Sequence, residues 1–292
     1  MNPIPPPMDS GRSGVLARIQ KVIAEHPPMP AFYSDLIPHV QDPDVSYEEL
    51  SKIIRNDPGV TMNILRMANT AYFSGPEKID SLQQALVRLG SRRLLQIVIA
   101  HGVSAQLAGR LDGYSLEPRG LLMHSVGVAV TAERLAHLLG LKTREMLFTA
   151  GLLHDMGKVI LDPFVKEYRK RFDEWLVEDP ARTFDDIEGE VLGITHPEAG
   201  SQLMARWNFP DDVVEIVACH HHPERSTVFP SETLMVHLAD TLLYSQGIGD
   251  GIDGFRYSVA NDAAARLGLR SRDVEQVASG ALDQLRELEA MM

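Results

Sequence analysis

The sequence predicts an all-α fold, and three observations carry that expectation. Apolar residues recur at helical spacing along most of the chain. Helix punctuation brackets these stretches, as in the Ser46 and Glu49 capping-box spacing, the Asp57-Pro58 break and Pro197 at a first helical position. No segment alternates strictly between apolar and polar residues as a half-buried strand does, and no internal repeat stands out.

Taken in order, residues 1–14, "MNPIPPPMDSGRSG", are Pro-rich and read as a disordered tail. They lack the basic start and apolar core of a secretory signal. "SYEELSKII" at 46–54 places Tyr47, Leu50, Ile53 and Ile54 on one face, and "GVTMNILRMAN" at 59–69 does the same with Val60, Ile64, Met67 and Ala68. Ser81 caps "LQQALVRLG", which holds Leu82, Ala85, Leu86 and Leu89 in phase before a stop at Gly90. "RRLLQIVIAHGV" is nearly all apolar; its β-branched residues allow a strand, but its neighbours favour a buried helix. "LDGYSLEPRG" at 111–120 is turn-rich and marks an internal boundary. Helices are expected near 121–139, 143–156, 163–177, 197–207, 211–221 and 232–245. A glycine-rich loop, "SQGIGDGIDG", precedes two final helices near 257–267 and 271–290. The last is amphipathic and expected to pack on its own domain; homodimerisation through it stays open.

The chain has 292 residues, 44% of them apolar, which suffices for a substantial core. Its net charge of -12, from 28 basic and 40 acidic residues, argues against broad adhesion to nucleic acid or an anionic membrane. A small phosphate-containing ligand held by local charges remains compatible with it. Cys219 is the lone cysteine, which fits a reducing, cytoplasmic setting. The most apolar stretch, "LLMHSVGVAVTAERLAHLL", is interrupted by His124, Glu133 and Arg134, so no membrane span is expected.

The chemistry gathers on histidines and aspartates at inward helix positions. His124 shares a stripe with Leu121, Val128 and Leu135. His154 and Asp155 fall near the end of an almost wholly apolar helix. His196 opens a helix before Pro197, His220 and His221 continue the phase of Val213 and Val217, and Asp240 shares a face with Val236, Leu243 and Tyr244. Seven ionisable groups facing a core need a common explanation, because desolvating them unpaired is costly. One or two divalent cations (Fe, Mn, Zn, Ni or Mg) would supply it, with Asp155 as a bridging carboxylate and the bound water as a nucleophile. Lys158, one turn on, would then receive a phosphate oxygen. A metal-free His–Asp hydrogen-bond network is the rival reading, and spacing does not separate the two. His26, His39, His101, His137 and His237 read as satisfied core histidines, and Cys219 as a small buried hydrophobe.

His124, the "HD" doublet at 154–155, His196, the "HH" pair at 220–221 and Asp240 together resemble the HD superfamily of metal-dependent phosphohydrolases. The wider pattern is more specific. "HPPMPAF", "DPDVSYEELSKIIRNDPGVTMNILRMANTAYF" and "KIDSLQQALVRLGSRRL" in the first half resemble the HDOD group, the HD-related output domains of bacterial signalling proteins. So do "GLLHDMGKVIL", "GITHPEAGSQLMARWNFPDDVVEIVACHHHPE" and "LMVHLADTL" in the second.

The resemblance implies an N-terminal helical lobe at 15–115, an HD-like metal-site lobe at 116–250 and C-terminal helices at 251–292. It also implies a regulatory role beside two-component or cyclic-dinucleotide signalling proteins. Whether the site catalyses is a separate question, since the group commonly lacks part of the ligand set that this chain retains. If it is an enzyme, Asp155 and Lys158 are its expected catalytic residues, in a metal-dependent phosphohydrolase or phosphodiesterase. Two departures count against cyclic-di-GMP hydrolysis: "HHHPERSTVFP" stands where such relatives carry a glycine–tyrosine–proline loop, and Gly120 stands where a third metal would need a carboxylate.

Overall fold

A computed structural model describes residues 9–27, 54, 58–69, 78–141, 144–249, 251–254, 256–257 and 262–291. The chain is all-α. No strand occurs among these residues; Leu111 and Leu116 alone form an antiparallel bridge, closing the turn-rich boundary.

Helix α1 (Asp9–Glu25) begins inside the segment expected to be a disordered tail. Its order has a physical reason: Val15, Ile19 and Ile23 recur at helical spacing and are all buried. That stripe packs on helices of the second half of the chain. The helix expected over 46–54 lies outside the described residues, save Ile54, which is helical and buried. Helix α2 (Pro58–Ala68) packs on α3 (Leu82–Leu107), whose start Ser81 caps by accepting from the Gln84 N–H at 3.1 Å. The stop expected at Gly90 takes the form of a bend, since Gly90 adopts φ 77°, ψ 166° between two helical arms. Asn69 ties the end of α2 to Ile79. Its Nδ2 donates to Leu65 O and Ile79 O at 2.7 and 2.8 Å, and its Oδ1 accepts from Ile79 N at 2.7 Å.

The second half is built around α4 (Gly120–Leu138), which is buried along nearly its whole length. It packs against α5 (Arg144–Leu153), α11 (Pro230–Ser245) and α13 (Ser271–Met291). Helices α6 (Met156–Glu167), α7 (Arg169–Glu178), α8 (Phe184–Leu192), α9 (His196–Arg206) and α10 (Asp211–Cys219) follow, with α9 packed on both α6 and α10, and α10 on α5. Short α12 (Ala263–Arg266) occupies part of the helix expected at 257–267, of which 258–261 lie outside the described residues. No helix among the described residues is long and apolar enough to cross a membrane.

Two differences from the sequence reading bear on function. The expected helix 143–156 breaks at His154 and Asp155, and a separate helix starts at Met156; the expected helix 163–177 is in turn divided at Tyr168. Helix α8 has no counterpart among the expected helices, although Thr183 caps it, Asp185 and Asp186 fill its first turn and Gly193 closes it with φ 82°.

Candidate metal centre

Helix ends, more than helix faces, aim the site. His154 and Asp155 form the turn between α5 and α6, His196 is the first residue of α9, and His220 and His221 follow directly on α10. His124 and Asp240 alone project from helix interiors.

The rings at the breaks are oriented by the chain ends they cap. His154 Nδ1 donates to Gly151 O at 2.7 Å, and His220 Nδ1 donates to Val217 O at 2.8 Å. A carbonyl only accepts, so in the neutral rings Nε2 carries the lone pair and points inward. His196 is held twice by one carboxylate oxygen: Glu188 Oε2 accepts from its backbone N–H at 2.6 Å and from Nδ1 at 2.7 Å. The other Glu188 oxygen accepts from Tyr114 Oη at 2.6 Å. His237 donates Nδ1 to His220 O at 2.8 Å, steadying the backbone of the "HH" pair. Gly157 lets α6 and α9 touch, because a β-carbon there would overlap the His196 carbonyl oxygen. That contact brings His196 Nε2 to 3.3 Å from Asp155 Oδ1.

All seven residues expected to hold metal converge. Donor atoms of Asp155, His196, His220 and His221 lie within 4.8 Å of one another, as do those of His124, His154 and Asp155 and those of His154, His220 and Asp240. Asp155 is therefore common to two groups, with its Oδ1 facing His196 and His220 and its Oδ2 facing His124 and His154. Six of the seven are at most 1% exposed and His221 is 9% exposed.

The cluster is left short of positive charge and of donors. His154 Nε2, Asp155 Oδ1, His220 Nε2, His221 Nδ1 and Asp240 Oδ2 are buried without a hydrogen-bond partner. His124 gives its Nδ1 proton to Ile248 O at 2.9 Å, yet its Nε2 faces Asp240 Oδ1 at 2.9 Å. Two acceptors at that distance repel unless a proton or cation lies between them. With protons as the only cations, burial works to lower the His154 pKa, but Asp155 and Asp240 overcome it and hold it at about 10. Burial likewise opposes, and Glu188 and Asp155 outweigh it, in lifting His196 to about 9. Burial, with His154 and His196 beside it, pushes His220 down to about 3. Burial would raise Asp155 and Asp240, yet the surrounding cationic groups hold both carboxyls well below their usual range. Inward imidazole lone pairs, a shared carboxylate and unpartnered buried acceptors fit a divalent cation.

Several groups around the cluster were not singled out from sequence. Glu188 and Tyr114 orient His196 as described. Tyr244 stacks on His124 with ring centroids 4.5 Å apart, and Tyr257 stacks on His221 at 3.7 Å. Asp253 is buried and ion-paired with Lys158. Asp185 accepts from His222 Nε2 at 2.8 Å beside the "HH" pair. The helix signals of 183–193 point to α8, whereas nothing local marks Asp253 or Tyr257.

Lys158 is enclosed rather than presented to solvent, at 1% exposure. Of the histidines read as core, His237 is buried and hydrogen-bonded, but His26 and His101 are half-buried and His137 lies on the surface of α4. Cys219 is half-buried, being on the last turn of α10. His39 lies outside the described residues.

Comparison with known proteins places this architecture. The HDOD domain model matches residues 26–223. The fold is similar to that of an HDOD domain protein of unknown function from Geobacter sulfurreducens, with TM-score 0.80 and 21% identity over 97% of this chain and 99% of that one. It is also similar to a candidate phosphohydrolase from Shewanella amazonensis SB2B, with TM-score 0.72 and 21% identity over 94% and 98% of the two chains. Among curated proteins, an uncharacterized protein of Treponema pallidum (strain Nichols) is 25% identical over 211 residues, which are 70% of this chain and 39% of that protein. A ribonuclease Y of Thermus thermophilus is 31% identical over 137 residues, 47% of this chain and 18% of the enzyme. The chain thus spans well under half the length of these curated relatives.

Proposed function

The chain belongs to the HDOD family, and from that membership we propose that it is a bacterial regulatory protein whose buried His/Asp cluster holds divalent metal. The observation that supports this reading best is the set of buried, unpartnered donor atoms on His154, Asp155, His220, His221 and Asp240. Leaving that many polar groups unsatisfied would each cost about 1–3 kcal/mol. The charges point the same way. Asp155, Asp185, Glu188, Asp240 and Asp253 are buried around one ammonium, that of Lys158, which leaves four formal negative charges with neutral histidines. Two divalent ions match that number; one ion would leave protons on histidine to supply the rest. His124, His154 and Asp240 with Asp155 would hold one ion, and His196, His220 and His221 with the same Asp155 a second. An imidazole-rich donor set favours Fe, Mn, Zn or Ni over Mg.

When bound, such an ion neutralises buried charge and acidifies a coordinated water. The chain's own residues do the rest: Glu188 fixes the His196 tautomer, the Gly151 and Val217 carbonyls fix those of His154 and His220, and Asp155 turns one oxygen to each group of histidines. Burial of every candidate ligand supports a structural or ligand-sensing role, since a closed metal site is the usual form of a structural one. The partners proposed on this reading are two-component or cyclic-dinucleotide signalling proteins in the cytoplasm, and a second copy of the chain.

The second reading is a metal-dependent phosphohydrolase or phosphodiesterase, favoured by the complete ligand set and by relatives named as ribonucleases. Metal-loaded protein assayed against nucleotides, cyclic dinucleotides, RNA and generic phosphoesters decides between them. The regulatory reading expects no turnover that depends on His154 and Asp155. Release of product that is lost in the His154→Ala, Asp155→Ala double variant would replace it with the enzymatic one.

A further inference from the structure

Three groups crowd the Lys158 ammonium. Asp155 Oδ2 accepts from Nζ at 2.7 Å and Tyr244 Oη accepts at 2.8 Å. Asp253 Oδ2 lies 2.5 Å away, as an ion pair outside hydrogen-bond geometry. Asp155 and Tyr244 take two of the ammonium's three donors, and the Asp253 carboxylate lies against it where an incoming anion would have to sit.

Asp155 and Tyr244 belong to the helical frame, but Asp253 does not. It is carried by the glycine-rich chain that leaves α11, described at 247–249, 251–254 and 256–257. This strap crosses the cluster and is tied down at separate points. Ile248 O accepts from His124, and Ile252 N donates to Tyr114 O at 2.9 Å. Tyr257 lies over His221 with its ring 8° from parallel. Beyond the site, Arg256 anchors it by donating to Leu176 O at 2.8 Å and Asp179 O at 3.3 Å at the end of α7. Ile248, Ile252 and Tyr257 also rest on the hydrophobic core, so lifting the strap breaks apolar contacts along with these polar ties.

We propose that Asp253 is a built-in anion: it occupies Lys158 in the closed protein, and a phosphate group reaches Lys158 only when the strap lifts and Asp253 withdraws. This inference rests on the metal-centre reading above, because without a cation the cluster would repel phosphate. A carboxylate and a phosphate oxygen are both anionic acceptors for one ammonium, so the two compete directly. The strap also covers part of the metal site, since Ile248 O accepts from His124 and the Tyr257 ring lies on His221. Its lifting therefore couples phosphate access to metal exchange.

The test uses the full chain, metal-loaded, with inorganic phosphate as the probe in a calorimetric titration and metal content measured on the same samples. Asp253→Asn keeps the shape and removes the competing charge. It is expected to bind phosphate at least about tenfold more tightly than the parent chain, the size of one charge-assisted hydrogen bond. Adding Lys158→Met is expected to abolish that gain. Arg256→Ala, which alters no group at Lys158, is expected to gain phosphate affinity as well and to lose metal faster to EDTA.

Equal phosphate affinity in metal-loaded parent and Asp253→Asn proteins overturns the inference and leaves the metal reading standing. A gain that survives Lys158→Met overturns it too. A parent chain that takes up no metal overturns the metal reading and this inference with it.

Discussion

Glu188→Gln isolates the role of a residue that touches no metal ligand except His196. Glu188 accepts from the His196 backbone N–H, from His196 Nδ1 and from Tyr114 Oη, at 2.6, 2.7 and 2.6 Å. Glutamine has the same shape and one carbonyl oxygen, so the two bonds to His196 survive as neutral ones while the Tyr114 bond must reverse direction. What is lost is the charge that makes His196 a stronger donor ligand and fixes its tautomer. Removing a partner of this kind weakens metal binding by about 10–100-fold, which is about 1.4–2.7 kcal/mol. Folding stability should fall by about 1–3 kcal/mol, because hydrogen bonds to a buried charge become neutral ones. Competition against a chromophoric chelator measures the affinity, and denaturant unfolding of the metal-free chain measures the stability. A folded Glu188→Gln protein with unchanged metal affinity would refute the idea that His196 is a ligand oriented by Glu188.

Three further outcomes are expected. Gly157→Ala forces a β-carbon into the His196 carbonyl where backbone meets backbone, so it should cost about 3 kcal/mol or more, read as a large fall in Tm. Asn69→Ala removes two hydrogen bonds that tie the end of α2 to Ile79 and one back to Leu65 O, and should cost about 2–3 kcal/mol in denaturant unfolding. Glu215 Oε1 accepts from Ser226 Oγ and from the Thr227 and Val228 N–H groups at 2.7, 2.8 and 2.9 Å, just before α11. Burial would raise its pKa, but these donors outweigh it and hold it below the usual range. Its contribution is thus present above the unfolded pKa of about 4.3 and disappears as pH falls through the lower folded value. The stability gap between the parent chain and Glu215→Gln should accordingly close on acidification; a gap independent of pH would contradict the assignment.

Periodic helices were legible because their apolar stripes and caps are local, as in Leu82, Ala85, Leu86 and Leu89 after Ser81. The inward phase of His124 and Asp240 was legible for the same reason, and the family pattern joined them to the other ligands. The break at His154 and Asp155 was not. Leu152, Leu153 and Met156 read as one continuous apolar run, with no glycine or proline at the break, and the cap that ends α5 is the His154 ring itself. Helix α8 escaped notice because Asp185, Asp186, Glu188 and Glu190 give it the composition of a solvated segment. Its apolar face, Phe184, Ile187 and Leu192, is nevertheless buried. Asp253 and Tyr257 owe their places to the strap's path across the cluster, a long-range property that no spacing within a glycine-rich loop encodes.

Elemental analysis of the purified chain, repeated on the His154→Ala, Asp155→Ala double variant, tests the metal centre most directly. At least one tightly held divalent transition metal per parent chain is expected, together with its loss from a folded double variant. A parent chain that stays metal-free after loading, or a double variant that keeps the full complement, would contradict the metal centre.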